Sequence, residues 1–295
     1  MKFGVCIPNY GDTLSIETLR DVVLEAEELG YDSVWTTDHV LMPRNSGTPY
    51  EKIVDAIATL AYLAPQTRKL KLGISSLIIA MRNPAVVAKQ LASVNAFSNG
   101  RLMLAIGAGW YEREFSFLGS DFHTRGKRVD ESIRLIRSLW VGETRRFDSP
   151  RTGINFEDVV FEPRTTTKLP IWIGGTSRAA MKRAVELGDA WHPNVFPLET
   201  FRKLVAEFRS ISPKAMEMDI CVRIGLNTRA TRPEFTGPQG EKRILLSANM
   251  YENRRIISEL ESLGVRYALV STNADGKVVG DDQLHSLRAL AKEFL

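Results

Sequence analysis

A buried strand followed by an amphipathic helix recurs about eight times along the 295 residues, and this repeat limits the possible folds more than any single motif does. The stretch from Lys69 to Trp110 shows the unit most plainly. Leu70, Leu72, Ile74 and the apolar run from Leu77 to Ala80 predict a strand buried on both faces. Asn83-Pro84 then opens a helix, with the asparagine as cap and the proline at the first helical position. Val87, Leu91, Val94 and Phe97 follow at spacings of four, three and three, which places them on one helical face. Asn99-Gly100 is a stop signal. Arg101 to Ile106 is a second buried strand, ended by Gly107-Ala108-Gly109. Two strands joined through one helix run parallel, and ligands of parallel sheets bind at the C-terminal strand ends.

The same unit is legible elsewhere. Lys2 to Ile7, Tyr31 to Trp35, Leu169 to Ile173, Ala190 to Val195, Met218 to Thr228 and Val265 to Ser271 read as strands, with helices between them. The fold class predicted is α/β, a (β/α)8 TIM barrel formed as a single domain over residues 1–295. Two stretches fall outside the repeat. Residues 145–165 suit a β-hairpin, and residues 229–243 suit a loop or lid. An open doubly wound sheet is the alternative. Against it, no Gly-x-Gly-x-x-Gly follows the first strand, and Gly107-Ala108-Gly109 lacks the third glycine of that pattern.

Charge argues against nucleic acid as a partner. The net charge is +4, and no block of lysines or arginines occurs, although a basic pocket for an anion is compatible with it. Cys6 and Cys221 have no metal-ligand or redox spacing and read as core thiols. The first residues read as a strand rather than a signal peptide, and no apolar run is long enough to span a membrane. A cytoplasmic location is therefore the expectation.

The distinctive polar clusters all fall at predicted strand ends, so a barrel would gather them at one rim. Gly174-Gly175-Thr176-Ser177 before a helix offers free N–H groups and hydroxyls to a phosphate; an ordinary capped turn is the other reading. His39, preceded by Asp38, suits proton transfer near neutral pH or a structural role across the barrel mouth. Ser75-Ser76 interrupts an apolar strand and suits either bonded hydroxyls or a bulge that brings backbone toward a ligand. His39, His123 and His192 lack metal-ligand spacing, and no metal site is expected.

A set of short segments, in order, resembles the bacterial luciferase-like oxidoreductases, in their deazaflavin-dependent (coenzyme F420) branch. They are Glu27 to Trp35 with Asp38-His39, Arg82-Asn83-Pro84 with Ala88 to Leu91, and Gly100-Arg101-Leu102 through Gly107-Ala108-Gly109-Trp110. Glu114-Phe115, Arg125-Gly126, and Ile173-Gly174-Gly175 with Gly188 to Trp191 complete the set, which spans about residues 1 to 195. The resemblance implies a barrel whose mouth binds F420, with FMN as the alternative. It implies hydride transfer between the ring and a small organic substrate, with His39 and Asp38 as catalytic residues. A cis peptide is expected at Ser75-Ser76 or Ser76-Leu77. Ser75, Ser76, Leu77, Gly107, Ala108, Gly109, Gly174, Gly175, Thr176 and Ser177 are the expected cofactor contacts; Asn9, Trp110, Trp191 and His192 are the expected substrate contacts. The pattern departs from sugar-phosphate dehydrogenases of the group at Trp110, where they carry a glutamate, so glucose-6-phosphate is not expected as substrate. The resemblance further implies a homodimer. An FMN-dependent monooxygenase would use oxygen and need a partner reductase. A flavin-binding barrel without turnover is the third reading.

Overall fold

The computed structural model describes residues 1–142, 146–165, 168–274, 278 and 280–295. Twelve strands lie among them: β1 Lys2–Cys6, β2 Ser33–Thr36, β3 Lys71–Ile78, β4 Leu102–Gly107, β5 Arg146–Ser149, β6 Ile154–Glu157, β7 Ile171–Gly174, β8 Ala190–His192, β9 Asp219–Leu226, β10 Glu234–Thr236, β11 Lys242–Leu246 and β12 Val265–Ser271. The helices are α1 Ile16–Glu28, α2 Ala56–Leu63, α3 Pro84–Phe97, α4 Glu112–Phe117, α5 Arg125–Val141, α6 Arg178–Leu187, α7 Leu198–Arg209, α8 Pro213–Glu217, α9 Met250–Ser262 and α10 Gly280–Phe294.

Eight strands close the barrel in the order β1-β2-β3-β4-β7-β8-β9-β12, every pairing parallel, with β12 returning to β1. The strand–helix repeat thus builds the (β/α)8 fold that it predicts. The α3 cap forms as read: Asn83 Oδ1 accepts from the N–H groups of Ala85 and Val86, with Pro84 at the first position. Val87, Leu91 and Val94 face the core, but Phe97 is exposed, because the helix turns it past the barrel wall in its last residue.

The extra segments differ from the repeat as expected. β5 and β6 form an antiparallel hairpin within the 145–165 stretch, whose residue 145 lies outside the described residues. Residues 229–243 are more ordered than a loop: β10 pairs antiparallel with β11, and β11 extends the sheet beside the end of β9. The aromatic-rich region after Trp110 contains the short helix α4.

The barrel interior is filled. Trp35 stacks on Trp172 at 4.7 Å, and Tyr267 closes on Trp172 edge-on at 5.1 Å. Cys6, Met103 and Cys221 complete this cluster, and both cysteines are free buried thiols. Glycine makes room for Trp35: a Cβ on Gly73 would lie 2.3 Å from its ring, and one on Gly4 2.3 Å from Ser33 Oγ. The barrel centre is thus a packed floor beneath the C-terminal mouth.

Candidate functional site at the barrel mouth

The mouth holds a cavity of about 410 Å³, within the range of small-molecule sites. Its wall includes Asp38, His39, Ser75, Ser76, Gly107 to Trp110, Gly174 to Ser177 and His192, so the ends of β2, β3, β4, β7 and β8 meet there. Tyr50, Arg223 and the tip of the β10–β11 hairpin (Pro238 and Gln239) add to it.

β3 carries the irregularity. Its register with β4 shifts between Ile74 and Leu77, and the Ser75–Ser76 peptide is cis. Asp38 holds this bulge from the neighbouring strand end. Its Oδ2 accepts from the Ile78 N–H at 2.9 Å, and its Oδ1 pairs with Arg82 Nη2 at 2.5 Å. His192 holds it from the other side. The Cys221 carbonyl can only accept, so His192 Nδ1–H donates to it at 2.5 Å, and Nε2 accepts from Ser75 Oγ–H at 2.8 Å. Burial pulls the His192 pKa down to about 4, with the Cys221 bond opposing and the nearby Arg223 charge adding to the fall. His192 is thus a neutral brace under Ser75.

Beside the bulge the backbone is bare. A Cβ on Gly174 would stand 2.9 Å from Ser76 Oγ, and one on Gly107 would stand 3.2 Å from Ser76 Cβ. Gly109 and Gly175 adopt φ of +83° and +106°, which side-chain-bearing residues avoid. After Gly174–Gly175 comes α6, capped by Ser177 Oγ, which accepts from the Ala180 N–H at 3.2 Å. The start of the helix reaches the wall through Ser177 and Ala180, with Arg183 and Arg125 beside it, so the positive end of its dipole lies at the cavity.

His39 is positioned by a residue that sequence reasoning gave no role in the chemistry. Glu114, on α4 and almost fully buried, places Oε2 2.7 Å from His39 Nδ1. Its Oε1 accepts from the N–H groups of Val40 at 2.5 Å and Leu41 at 3.2 Å. A carboxylate only accepts, so Nδ1 carries the proton and Nε2 is left for the cavity. Tyr50 stacks on the His39 ring at 4.5 Å, and Trp110 meets it edge-on at 6.0 Å. What hid Glu114 was its distance from His39, 75 residues on in the chain. Arg223 was also missed. Its sign is a lone arginine within the apolar strand β9, and its guanidinium spans the mouth to the Ser75 carbonyl at 2.9 Å.

Several expected contacts lie elsewhere. Trp191 is fully buried and turned outward: it stacks on Phe208 at 4.5 Å and donates Nε1–H to the Gly175 carbonyl, which steadies the glycine turn. Asn9 spends its amide on Thr37 and Val54 and joins two loops rather than facing the cavity. Leu77 packs in the core behind the bulge. Asp38 is bonded to the bulge and Arg82, and the partner of His39 is Glu114 instead. Among the described residues no group of three metal-ligating side chains occurs, and no helix is long and apolar enough to cross a membrane.

The closed parallel barrel, with a bulged strand and a glycine cradle at its mouth, defines the class of architecture. The sequence profile of the luciferase-like monooxygenase family matches residues 1–237, and the chain belongs to that family. An F420-dependent glucose-6-phosphate dehydrogenase from Amycolatopsis mediterranei is 34% identical over 183 residues, 58% of this chain and 52% of that protein. The chain thus spans about half the length of that relative. An FMNH(2)-dependent dimethylsulfone monooxygenase from Pseudomonas fluorescens is 27% identical over 77% of this chain and 64% of its own length. In fold, an F420-dependent secondary alcohol dehydrogenase solved with an F420-acetone adduct superposes with a TM-score of 0.78. The overlap covers 98% of both chains at 17% identity.

Proposed function

We propose that this protein is an F420-dependent oxidoreductase acting on a small organic substrate, with the cavity at the barrel mouth as its active site. The observation that carries this reading is the convergence of three elements on one cavity. These are a bulged strand facing bare glycine backbone, a helix N-terminus with two arginines, and a histidine fixed by a buried carboxylate.

The residues present fit such a cofactor. A flat ring system needs backbone approach without side chains; Gly107 and Gly174 carry none, and their lack of a Cβ lets the Ser76 side chain lie against their backbone beside the cavity. A phosphate-bearing tail needs donors and positive charge. The wall contains Arg125 and Arg183 for this, and its single carboxylate, Asp38, is paired with Arg82. Ser75, Ser76 and Gly107 to Gly109 would hold the ring, and Gly174 to Ser177 the phosphate. When bound, the deazaflavin supplies a carbon that accepts or donates hydride.

The chain's own residues do the rest. Glu114 keeps His39 in one tautomer and one orientation, so Nε2 can take a proton from a substrate hydroxyl or return one through its protonated form. Tyr50 and Trp110 pack on the His39 ring and restrict its rotation. Asp38 and His192 hold the ring support rigid. An FMN-dependent monooxygenase with a partner reductase is the second reading, favoured by the Pseudomonas relative's longer coverage of this chain.

Titration of the purified protein decides between them. F420 is expected to bind and FMN to bind at least tenfold more weakly. Tighter binding of FMN would move the protein to the second reading.

A further inference from the structure

Arg223 is a cation without a counter-charge. Its guanidinium is held by neutral oxygens: the Ser75 carbonyl at 2.9 Å and the hydroxyls of Thr37 at 3.1 Å, Tyr10 at 3.2 Å and Ser271 at 3.4 Å. Among the described residues it forms no ion pair. A charge withdrawn from water in this way is costly unless something compensates it. Close to it stands a second arginine with a spare donor. Arg243, on the β10–β11 hairpin, gives Nη1–H to Asn194 Oδ1 at 3.2 Å and pairs through Nη2 with Glu241. Its Nε–H is buried and has no partner. Both arginines line the main cavity, and both also line a recess of about 10 Å³ walled further by Tyr50, Asn194 and Ser271.

The recess has room for about one water-sized oxygen. No whole anion fits it, and with Arg243 paired to Glu241 the one uncompensated charge, on Arg223, matches a monoanion better than a phosphate dianion. A planar carboxylate could place one oxygen there and leave its carbon in the main cavity. The Asn194 amide turns its oxygen to Arg243, which leaves its N–H groups as further donors at the same place. The phosphate cradle lies two strands away, after β7, while Arg223 is on β9.

We propose that Arg223, Arg243 and Asn194 form a second anion site, separate from the glycine cradle, that takes the carboxylate of a small organic acid. Assigning that acid as the substrate rests on the oxidoreductase reading above; the site itself does not. With the carboxylate anchored there, the rest of the molecule lies in the cavity that His39 lines, so the substrate class becomes a small carboxylic acid rather than a neutral alcohol or a sugar phosphate.

Calorimetric titration of the full chain, without added cofactor, tests this with three probes: benzoate, benzamide and inorganic phosphate. Benzoate is expected to bind, and its uncharged isostere benzamide to bind at least tenfold more weakly. Arg243→Gln should weaken benzoate roughly tenfold and leave phosphate unchanged, whereas Arg183→Gln should do the reverse. Arg223→Lys keeps the charge but loses the fork, and should weaken benzoate as well. If Arg243→Gln does not fold, Asn194→Ala provides the same comparison. The proposal is overturned by absence of benzoate binding, by equal binding of benzamide, or by benzoate depending on Arg183 and not on Arg243. Titration with F420 is independent: its failure with benzoate binding intact removes the redox reading and leaves the anion site standing.

Discussion

Exchanging Glu114 for glutamine tests the chemistry at the mouth with the smallest change of shape. In the native protein Oε1 accepts from two backbone N–H groups, and Oε2 faces His39 Nδ1 at 2.7 Å. A glutamine amide has one acceptor and one donor end. Its oxygen is needed by Val40 and Leu41, so its N–H₂ must face His39. The ring nitrogen there must then accept, and the proton moves to Nε2. The cavity-facing nitrogen changes from lone pair to N–H, and a base becomes unable to take a proton. The expected loss of hydride-transfer rate is on the order of 10²- to 10⁴-fold, the range for removing a correctly protonated general base. Stability should fall by only about 1–3 kcal/mol, because the shape and two hydrogen bonds persist. Long-range ¹⁵N–¹H spectra of the imidazoles report the tautomer directly, without substrate. Wild type should show Nδ1–H at His39 and the variant Nε2–H. An unchanged tautomer in Glu114→Gln, or an unchanged rate despite the exchange, refutes the argument.

Other perturbations follow from the same contacts. His192 is held at about 4 against an ordinary 6.5, so the unfolded chain takes up the proton first as pH falls. Its contribution is complete above 6.5 and declines between there and about 4, by on the order of 3 kcal/mol; urea midpoints should show this slope in wild type and lose it in His192→Gln. Despite partial burial, which acts to raise them, Asp32 and Asp189 are held below the ordinary 3.8. Tyr267 and Lys71 lower Asp32; Lys168 and Arg137 lower Asp189. Their stabilisation is present above that value and disappears as pH falls through their lowered folded values, so Asp189→Asn should blunt the acid limb of the pH–stability curve below 3.8. Gly73→Ala drives a methyl to 2.3 Å from the Trp35 ring and should cost about 2–3 kcal/mol in thermal or urea unfolding. Gly174→Ala places one 2.9 Å from Ser76 Oγ and should weaken F420 by more than tenfold while urea midpoints move little.

The barrel was readable in the chain because each strand–helix unit is local: Asn83-Pro84 opens α3, Asn99-Gly100 closes it, and the glycine runs end β4 and β7. The polar strand ends were readable for the same reason, since parallel strands must bring them to one rim. What was hidden depends on which way a side chain turns. Trp191 and His192 are neighbours in β8, yet the pleat sends the tryptophan out to Phe208 and the histidine in to Ser75. Glu114 was hidden because its partner is 75 residues away, and Arg223 because its hydrogen-bond partners come from four other strand ends. The 229–243 stretch lacked strong alternation, and the pairing of β10 with β11 orders it.

The aromatic plug has a kinetic consequence. Trp35, Trp172 and Tyr267 close the barrel behind Ser75, so no path runs through the barrel to the cavity. A molecule lying against the bulge and one held by Arg243 on the hairpin would share that cavity, so occupancy of either site should slow exchange at the other, which two-ligand kinetics would read.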